Sequence, residues 1–399
     1  MLAALDRPAG DPFIDVRDWF AAQGFTPFPF QEDVWAAFAA GDSGLVHAPT
    51  GMGKTYAAAL GPIVLGPRGT ADTPPPLTLL WLTPLRALAS DTGLALRRAA
   101  QALNAHWTID VRTGDTSSSA RARQSLRLPT ALITTPESLT LMLSRADWRE
   151  RFAHVTAVVC DEWHELMASK RGVQTELALA RLRALRPQLR TWGLSATLAN
   201  LDQALACLVG PRLARAVPPR TRIVKGLDTK TIEIVSALPK TIERFPWAGH
   251  IGLKMLPEVI RAIERARSTL VFTNVRSATE MWYQALLAAR PDWAGTIALH
   301  HGSLERQVRD WVEAGLRDGK LRAVVCTSSL DLGVDFTPVD QVLQIGSPKG
   351  VGRLLQRAGR SGHRPGEISR VTVIPAQALE LVEAAAARVA AAARRIEPR

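Results

Sequence analysis

The run Ala48-Pro49-Thr50-Gly51-Met52-Gly53-Lys54-Thr55 decides how the rest of this chain is read. It follows the apolar Leu45-Val46 and opens an alanine-rich, helix-forming run from Tyr56 to Leu60. A strand, a Gly-containing turn and a helix start place a nest of backbone N–H groups at the positive end of a helix dipole, and that geometry cradles phosphate. Thr50, Gly51 and Gly53 then line the phosphates, Lys54 reaches the terminal phosphates of a nucleotide, and the Thr55 hydroxyl ligates Mg²⁺. The P-loop pattern begins with Gly, and Ala48 stands in that place. The competing reading is a Gly-rich turn with a surface lysine.

At 399 residues the chain has room for two or three domains and a substantial core. With 47% hydrophobic and 22% charged residues it has an ordinary globular balance, which excludes the disordered class. The formal net charge of +12 favours a polyanionic partner, although a generically Arg-rich proteome gives the same number. Cys160, Cys207 and Cys326 form no CxxC pair, so buried thiols in a reducing compartment are expected and not a disulfide or zinc site. Met1 to Gly10 lacks the apolar core of a signal peptide. No uncharged apolar run approaches the roughly 18 residues of a membrane span. A cytosolic protein with no membrane partner is expected.

Short apolar runs alternate with longer amphipathic ones downstream of the P-loop. Leu77 to Leu82, Ala131 to Thr134, Val155 to Cys160 and Trp192 to Thr197 read as buried strands. Helices are expected over Arg86 to Leu103, Glu137 to Leu143 and Thr175 to Leu185. This alternation predicts a mostly parallel sheet covered on both faces. Composition shifts between Pro211 and Gly226, placing a boundary between a domain of residues 1–217 and one of residues 218–399. The pattern then restarts, with strands at Thr231 to Val235, Thr269 to Thr273, Thr296 to Leu299, Ala323 to Cys326, Gln341 to Ile345 and Val371 to Ile374. The second domain is again α/β, without a P-loop. The tail from Ala376 to Arg399 reads as a solvated closing helix.

Asp161-Glu162 ends an apolar strand, where ligands bind in open α/β sheets. An Asp there holds Mg²⁺, and an adjacent Glu orients and deprotonates an attacking water. Phosphoryl transfer also needs positive charge on the developing transition state. Gln356 to Arg364, with three arginines, a histidine and two glycines, supplies a cluster of it. A solvated or nucleic-acid-binding loop is the other reading of that stretch.

These stretches fall in an order that resembles the superfamily 2 helicases. Ala48–Thr55 is similar to motif I, Thr83-Pro84-Leu85-Arg86 to Ia, Thr135-Pro136-Glu137-Ser138 to the later DNA-contacting motif, Asp161–His164 to II and Ser195-Ala196-Thr197 to III. Val271–Asn274 then resembles motif IV, Thr327–Asp335 V and Gln356–His363 VI, while Gln31 after its Pro/Phe turn is similar to the Q motif. Asp161-Glu162-Trp163-His164-Glu165-Leu166 with Ser169–Gly172, Arg244–His250 and Ser328–Asp335 look like the large helicase-related (Lhr) family, above all its bacterial ligase-associated DEXH-box members. The resemblance implies two RecA-like domains with an ATP site in the cleft between them. It implies that Lys54 binds the β/γ-phosphates, Thr55 and Asp161 the Mg²⁺, Glu162 the water and Gln31 the adenine. Gln356 and Arg360 resemble the water-contacting and arginine-finger positions, and Gly333 and Asp335 would approach the nucleotide. His363 stands where many superfamily 2 members carry a second arginine, and Arg364 is the neighbouring substitute.

The same resemblance implies a monomeric motor moving 3′→5′ on single-stranded DNA and opening DNA or RNA–DNA duplexes in repair, with a ligase or nuclease as partner. Thr83, Arg86, Thr135, Thr273 and Thr327 are expected on the DNA side, where small hydroxyls and Arg suit phosphate contacts. Strand propensity and helix N-caps are the competing explanation of these threonines. Trp81 and Trp192 read as core, and Trp163 as packed beneath the acidic pair. Lhr-type helicases continue into a winged helix and further domains, so a two-domain motor core that unwinds poorly is expected. An RNA helicase of the Ski2-like or DEAH kind, and an ATP-gated clamp with little turnover, are the other readings.

Overall fold

The computed structural model describes residues 10–70, 72–167, 169–214, 220–226, 232–238, 253–331, 339–362, 368–393 and 395–397, with the side chains of Arg86, Ala87, Arg212 and Ala214 outside that set. Gly333, Asp335, His363, Arg364 and the stretch 244–250 therefore lie outside the described residues. Two compact units are present, each built on one sheet.

The first unit holds β1 (Ser43–His47), β2 (Leu79–Leu82), β3 (Ile109–Arg112), β4 (Ala131–Thr134), β5 (Ala157–Cys160), β6 (Arg190–Ser195) and β7 (Thr221–Lys225). Their spatial order is β3-β4-β2-β5-β6-β1-β7, and every pairing is parallel. The central strands explain the parallel arrangement. Leu79-Leu80-Trp81-Leu82 and Ala157-Val158-Val159-Cys160 are buried at every position, because helices cover both faces of the sheet. Each fully buried Val or Leu contributes about 1.5–3 kcal/mol of transfer free energy.

The two edges of this sheet depart from the sequence reading. Ile109-Asp110-Val111-Arg112 and Thr221-Arg222-Ile223-Val224-Lys225 carry charges because an edge strand is half-solvated, and charge there discourages pairing with another chain. Neither is an apolar run, so a search for apolar runs passes over both. β7 also moves the domain division: pairing with β1 from Ser43↔Thr221 to His47↔Lys225 keeps it in the first unit, so the units part between β7 and the next strand and not at 217/218.

The second unit holds β8 (Ile232–Ser236), β9 (Thr269–Phe272), β10 (Ile297–His300), β11 (Ala323–Cys326), β12 (Gln341–Ile345) and β13 (Ser369–Ile374), in the order β10-β11-β9-β12-β13-β8, again all parallel. Each unit is thus a parallel sheet flanked by helices, the RecA-like arrangement the motifs imply.

The tail differs from the expected solvated helix. The helix spans Ala378–Ala392, and the chain then returns so that Glu397 accepts hydrogen bonds from the backbone N–H groups of Val351 (3.1 Å) and Gly352 (3.2 Å). A carboxylate at the start of the helix Val351–Ala358 satisfies orphan donors and complements the helix dipole. Gly350, at φ 131°, makes this possible, since a Cβ there would collide with the Glu397 carboxylate.

Candidate functional site

β1 ends at His47, and the chain turns through Gly51 (φ 83°) and Gly53 (φ 75°) into the helix Lys54–Leu65. Left-handed backbone at both positions favours glycine. Gly53 has a second reason to lack a side chain: its Cβ would meet the Gln31 Nε2 atom at 2.7 Å. Gln31 is almost fully buried on the helix Pro29–Ala39, accepts from the Phe28 N–H (2.8 Å) and donates to the Gly53 carbonyl (3.0 Å). The amide therefore braces the loop from outside. Lys54 is itself buried and donates to the carbonyl of Ala48 (2.8 Å), which spans the loop from its last residue to its first.

β5 lies two strands from β1 and delivers Asp161-Glu162 at its carboxyl end. Asp161 is buried and accepts from the Trp81 indole N–H (3.3 Å) and the Glu162 N–H (2.9 Å). Burial pushes its carboxyl above the ordinary carboxylate range, against the pull of the Lys54 ammonium and these two donors. The Lys54 charge thus acts directly on Asp161, so the two sequence-predicted residues belong to one electrostatic site. Glu162 has φ 46°, a left-handed conformation that costs a non-glycine residue about 1–3 kcal/mol and turns the chain sharply into the short helix Trp163–Met167. Trp163 is buried and donates to the Ala204 carbonyl (2.9 Å), fixing that helix from below.

His164 extends the site to β6. Its Nδ1 lies 3.1 Å from Ser195 Oγ and 3.5 Å from Glu162 Oε2, and its Nε2 lies 3.7 Å from Glu165 Oε1. The end of β6 is therefore wired to the acidic pair through one imidazole. Sequence reasoning quoted His164 and Ser195 without giving either this role, and it read Trp81 as plain core. A buried tryptophan needs an acceptor for its N–H, and in β2, beside β5, Asp161 supplies it.

In the second unit, the helix Val351–Ala358 and the turn that follows it bring Arg357 and Arg360 to Asp331. Arg357 is buried, makes a two-pronged pair with the Asp331 carboxylate (2.7 and 3.1 Å), bonds the Gln344 side chain and lies 4.6 Å over the Phe272 ring. Arg360 donates from Nε and Nη2 to the Asp331 carbonyl (3.2 and 2.9 Å). Gln356 is buried on the same helix. The three side chains divide: Arg357 is the structural anchor, which its position in the sequence did not reveal.

The expected phosphate-contacting threonines form two matched pairs. Thr83 follows β2 and Thr273 follows β9; both are buried, and each hydroxyl donates to the carbonyl two residues on, Leu85 and Val275, at 3.3 Å. Their hydroxyls are turned inward because the strand end buries them. Thr135 and Thr327 follow β4 and β11 and cap the next turn, accepting from the N–H of Ser138 and Ser329 respectively. Backbone hydrogen bonds join neighbouring strand ends within each unit, Thr83 N–H to the Thr134 carbonyl (3.0 Å) and Thr273 N–H to the Cys326 carbonyl (2.8 Å). Arg86 opens the helix Arg86–Ala102, with its side chain outside the described set.

The chain matches the family model of the DEAD/DEAH box helicases over residues 28–204 and that of the helicase conserved C-terminal domain over residues 252–365. It is 35% identical over 388 residues to the ATP-dependent helicase Lhr-Core protein 2 of Thermococcus barophilus, which covers 92% of this chain and 44% of that protein. It is 34% identical over 429 residues to the Lhr helicase/uracil glycosylase of Escherichia coli, covering 92% of this chain and 27% of that one. Among solved structures, the Mycobacterium smegmatis helicase Lhr bound to ssDNA and AMP-PNP matches with a TM-score of 0.84 at 33% identity, over 98% of this chain and 51% of that chain. The chain spans less than half the length of these curated relatives.

Proposed function

Because the chain belongs to the Lhr family of superfamily 2 helicases, we propose that it hydrolyses ATP and uses the cycle to move along single-stranded DNA. The observation that carries this reading is the electrostatic site in the first unit, where the P-loop Lys54 acts on a buried Asp161 whose neighbour Glu162 is held in a strained turn. A buried carboxylate with a raised pKa calls for a cation beside it. Thr55 and Asp161 offer the hard oxygens Mg²⁺ prefers, and among the described residues no group of three or more His, Cys, Asp or Glu is placed to hold a metal ion. That donor set fits a cation held by one carboxylate, one hydroxyl, waters and the phosphates themselves. Bound there, Mg²⁺ would neutralise charge on the β- and γ-phosphates.

The protein's own groups do the rest. Lys54 leaves the Ala48 carbonyl for the phosphates. Glu162 takes the proton of the attacking water, with His164 and Ser195 fixing its orientation. Gln356 is the proposed water contact, and Arg360 the proposed charge on the transferring phosphoryl group. Gln31 keeps one amide hydrogen and one lone pair beyond its bonds to Gly53 and Phe28, enough to bracket adenine. Adenine contact would then reach the P-loop through the Gly53 carbonyl. Gly333, Asp335 and His363 are proposed for the nucleotide on the resemblance alone.

Thr135 and Thr327, at strand ends, and Arg86 are the proposed phosphate contacts. Thr83 and Thr273 serve by shaping their turns. Movement 3′→5′, opening of DNA or RNA–DNA duplexes, a role in repair beside a ligase or nuclease, a monomeric state and a cytosolic location complete the proposal. Among the described residues no helix is long and apolar enough to cross a membrane.

The test is ATP turnover measured with single-stranded DNA, with RNA and with neither. Strong stimulation by DNA is expected, and turnover should vanish in Lys54→Ala with an unchanged circular dichroism spectrum. Stimulation by RNA alone would sink the DNA reading, and absence of turnover would leave a clamp. Comparing ATP with GTP checks Gln31.

A further inference from the structure

Three side chains that the proposed reaction does not use meet at the carboxyl ends of β10 and β11. His300 ends β10 and is 1% exposed. Its Nδ1 lies 2.7 Å from Ser329 Oγ, and its Nε2 lies 3.3 Å from Glu313 Oε1 on the helix Arg306–Arg317. A carboxylate can only accept, so the tautomer that fits has its proton on Nε2 and presents a bare Nδ1 to the Ser329 hydroxyl. The Ser329 oxygen is then an acceptor, and Thr327 Oγ1 donates to it at 3.3 Å. Donation therefore runs one way, from Thr327 to Ser329 to His300, with Glu313 fixing the direction. The His300 carbonyl, 3.0 Å from Ser329 Oγ, is the second place that hydroxyl's proton can go.

Thr327 has one hydroxyl proton. Given to a phosphate oxygen, it is withdrawn from Ser329. Ser329 sits in a single 3-10 turn, Ser328–Leu330, whose backbone is held at its start by the Thr327 N–H to His300 carbonyl bond (3.2 Å) and at its end by the Asp331 N–H to Ser328 carbonyl bond (3.1 Å). Asp331 is the residue that grips Arg357 by its carboxylate and Arg360 by its carbonyl. Only one short turn thus separates a hydroxyl placed to feel a phosphate from the backbone atom that places Arg360.

We infer that Glu313, His300 and Ser329 form a positioning relay that couples occupancy of the Thr327 hydroxyl by a nucleic-acid phosphate to the placement of Arg360, and so to the rate of turnover. This rests on the function proposed above. The two can fail separately.

The experiment compares His300→Phe, which keeps a ring of similar size without nitrogens, with His300→Asn, whose Oδ1 can accept from Ser329 where Nδ1 did. In His300→Phe, turnover without DNA should stay within about twofold, while stimulation at saturating single-stranded DNA falls at least about fivefold and the half-saturating DNA concentration barely moves. His300→Asn should recover much of the stimulation. Glu313→Leu, at a partly exposed helix position, should show the same loss should the ring substitution not fold, and Glu313→Gln should retain more because its Oε1 still accepts from Nε2–H. Full stimulation in His300→Phe or Glu313→Leu, or His300→Asn no better than His300→Phe, overturns the relay alone. Turnover and melting temperature falling together in every variant would mean a merely structural histidine and overturns it too. An unaltered chain that DNA does not stimulate overturns the relay together with the reading it rests on.

Discussion

Residues 157–160 and 323–326 are the same tetrapeptide, Ala-Val-Val-Cys, and both form fully buried parallel strands. β5 lies between β2 and β6 in one sheet, and β11 between β10 and β9 in the other. Both cysteines are driven by burial toward the neutral thiol, Cys160 to about 12 and Cys326 well above its ordinary range. The strands are interchangeable as packing, but the turns beyond them are not. After Cys160 come two carboxylates in a strained turn against Lys54; after Cys326 comes a ladder of hydroxyls ending on Asp331. A buried strand supplies only a place and a direction. The one or two residues beyond its end choose between charge chemistry and hydrogen-bond coupling.

That contrast can be broken most severely at Glu162. Glu162→Gln should lower turnover about 10²–10⁴-fold whether or not DNA is present, as loss of a general base does. Thr327→Ala should instead leave turnover without DNA within about twofold, raise the DNA concentration needed for half-maximal stimulation about tenfold, the worth of a hydrogen bond to a charged group, and lower saturated stimulation as His300→Phe does. Equal effects of the two substitutions on these quantities would erase the distinction.

The second sheet is expected to depend on its buried ion pair where the first depends on packing. Arg357→Met leaves the Asp331 carboxylate buried with, among the described residues, the more distant Arg353 guanidinium (3.8 Å) as its remaining cation, and should cost about 3–5 kcal/mol by urea unfolding. A smaller effect comes from Trp81. Trp81→Phe keeps the core filled but removes the donor to Asp161. It should raise the Mg²⁺ concentration needed for AMP-PNP binding about tenfold, read by calorimetry, as loss of a ligand's outer partner does. An unchanged Mg²⁺ requirement would return Trp81 to plain core. The smallest expected effect is a null one: at pH 8 a thiol reagent should leave Cys160 and Cys326 untouched in the folded protein and reach the partly exposed Cys207. Labelling of either buried thiol would show that the two strands are not packed alike.

Most of the fold was legible because central parallel strands are buried on both faces and so read as unbroken apolar runs, as Leu79–Leu82 and Ala131–Thr134 do. The edges were not, since Asp110, Arg112, Arg222 and Lys225 are the price of solvent on one side. Missing β7 also displaced the domain division. In the candidate site, residues announced by short motifs stood out, namely Lys54, Asp161, Glu162 and Arg360. Those defined by a partner distant in sequence did not. Trp81 meets Asp161 across 80 positions, Ser195 meets His164 across 31, and Arg357 meets Asp331 across 26. Side-chain direction decided the threonines: position at a strand end was readable, but whether a hydroxyl points out or back to residue i+2 depends on the turn that succeeds it.

Glu397 has one more consequence, which concerns chain length. Its carboxylate is bonded to the first turn of the helix that carries Gln356 and Arg357 and leads into Arg360, while the chain leading to it leaves the helix Ala378–Ala392 only a few residues earlier. The described residues Arg395 to Glu397 therefore work as a ruler. A residue inserted or deleted there cannot be absorbed as slack, as it would be in a free surface loop; it would either pull Glu397 off Val351 and Gly352 or drag the helix that leads into Arg360 along its axis.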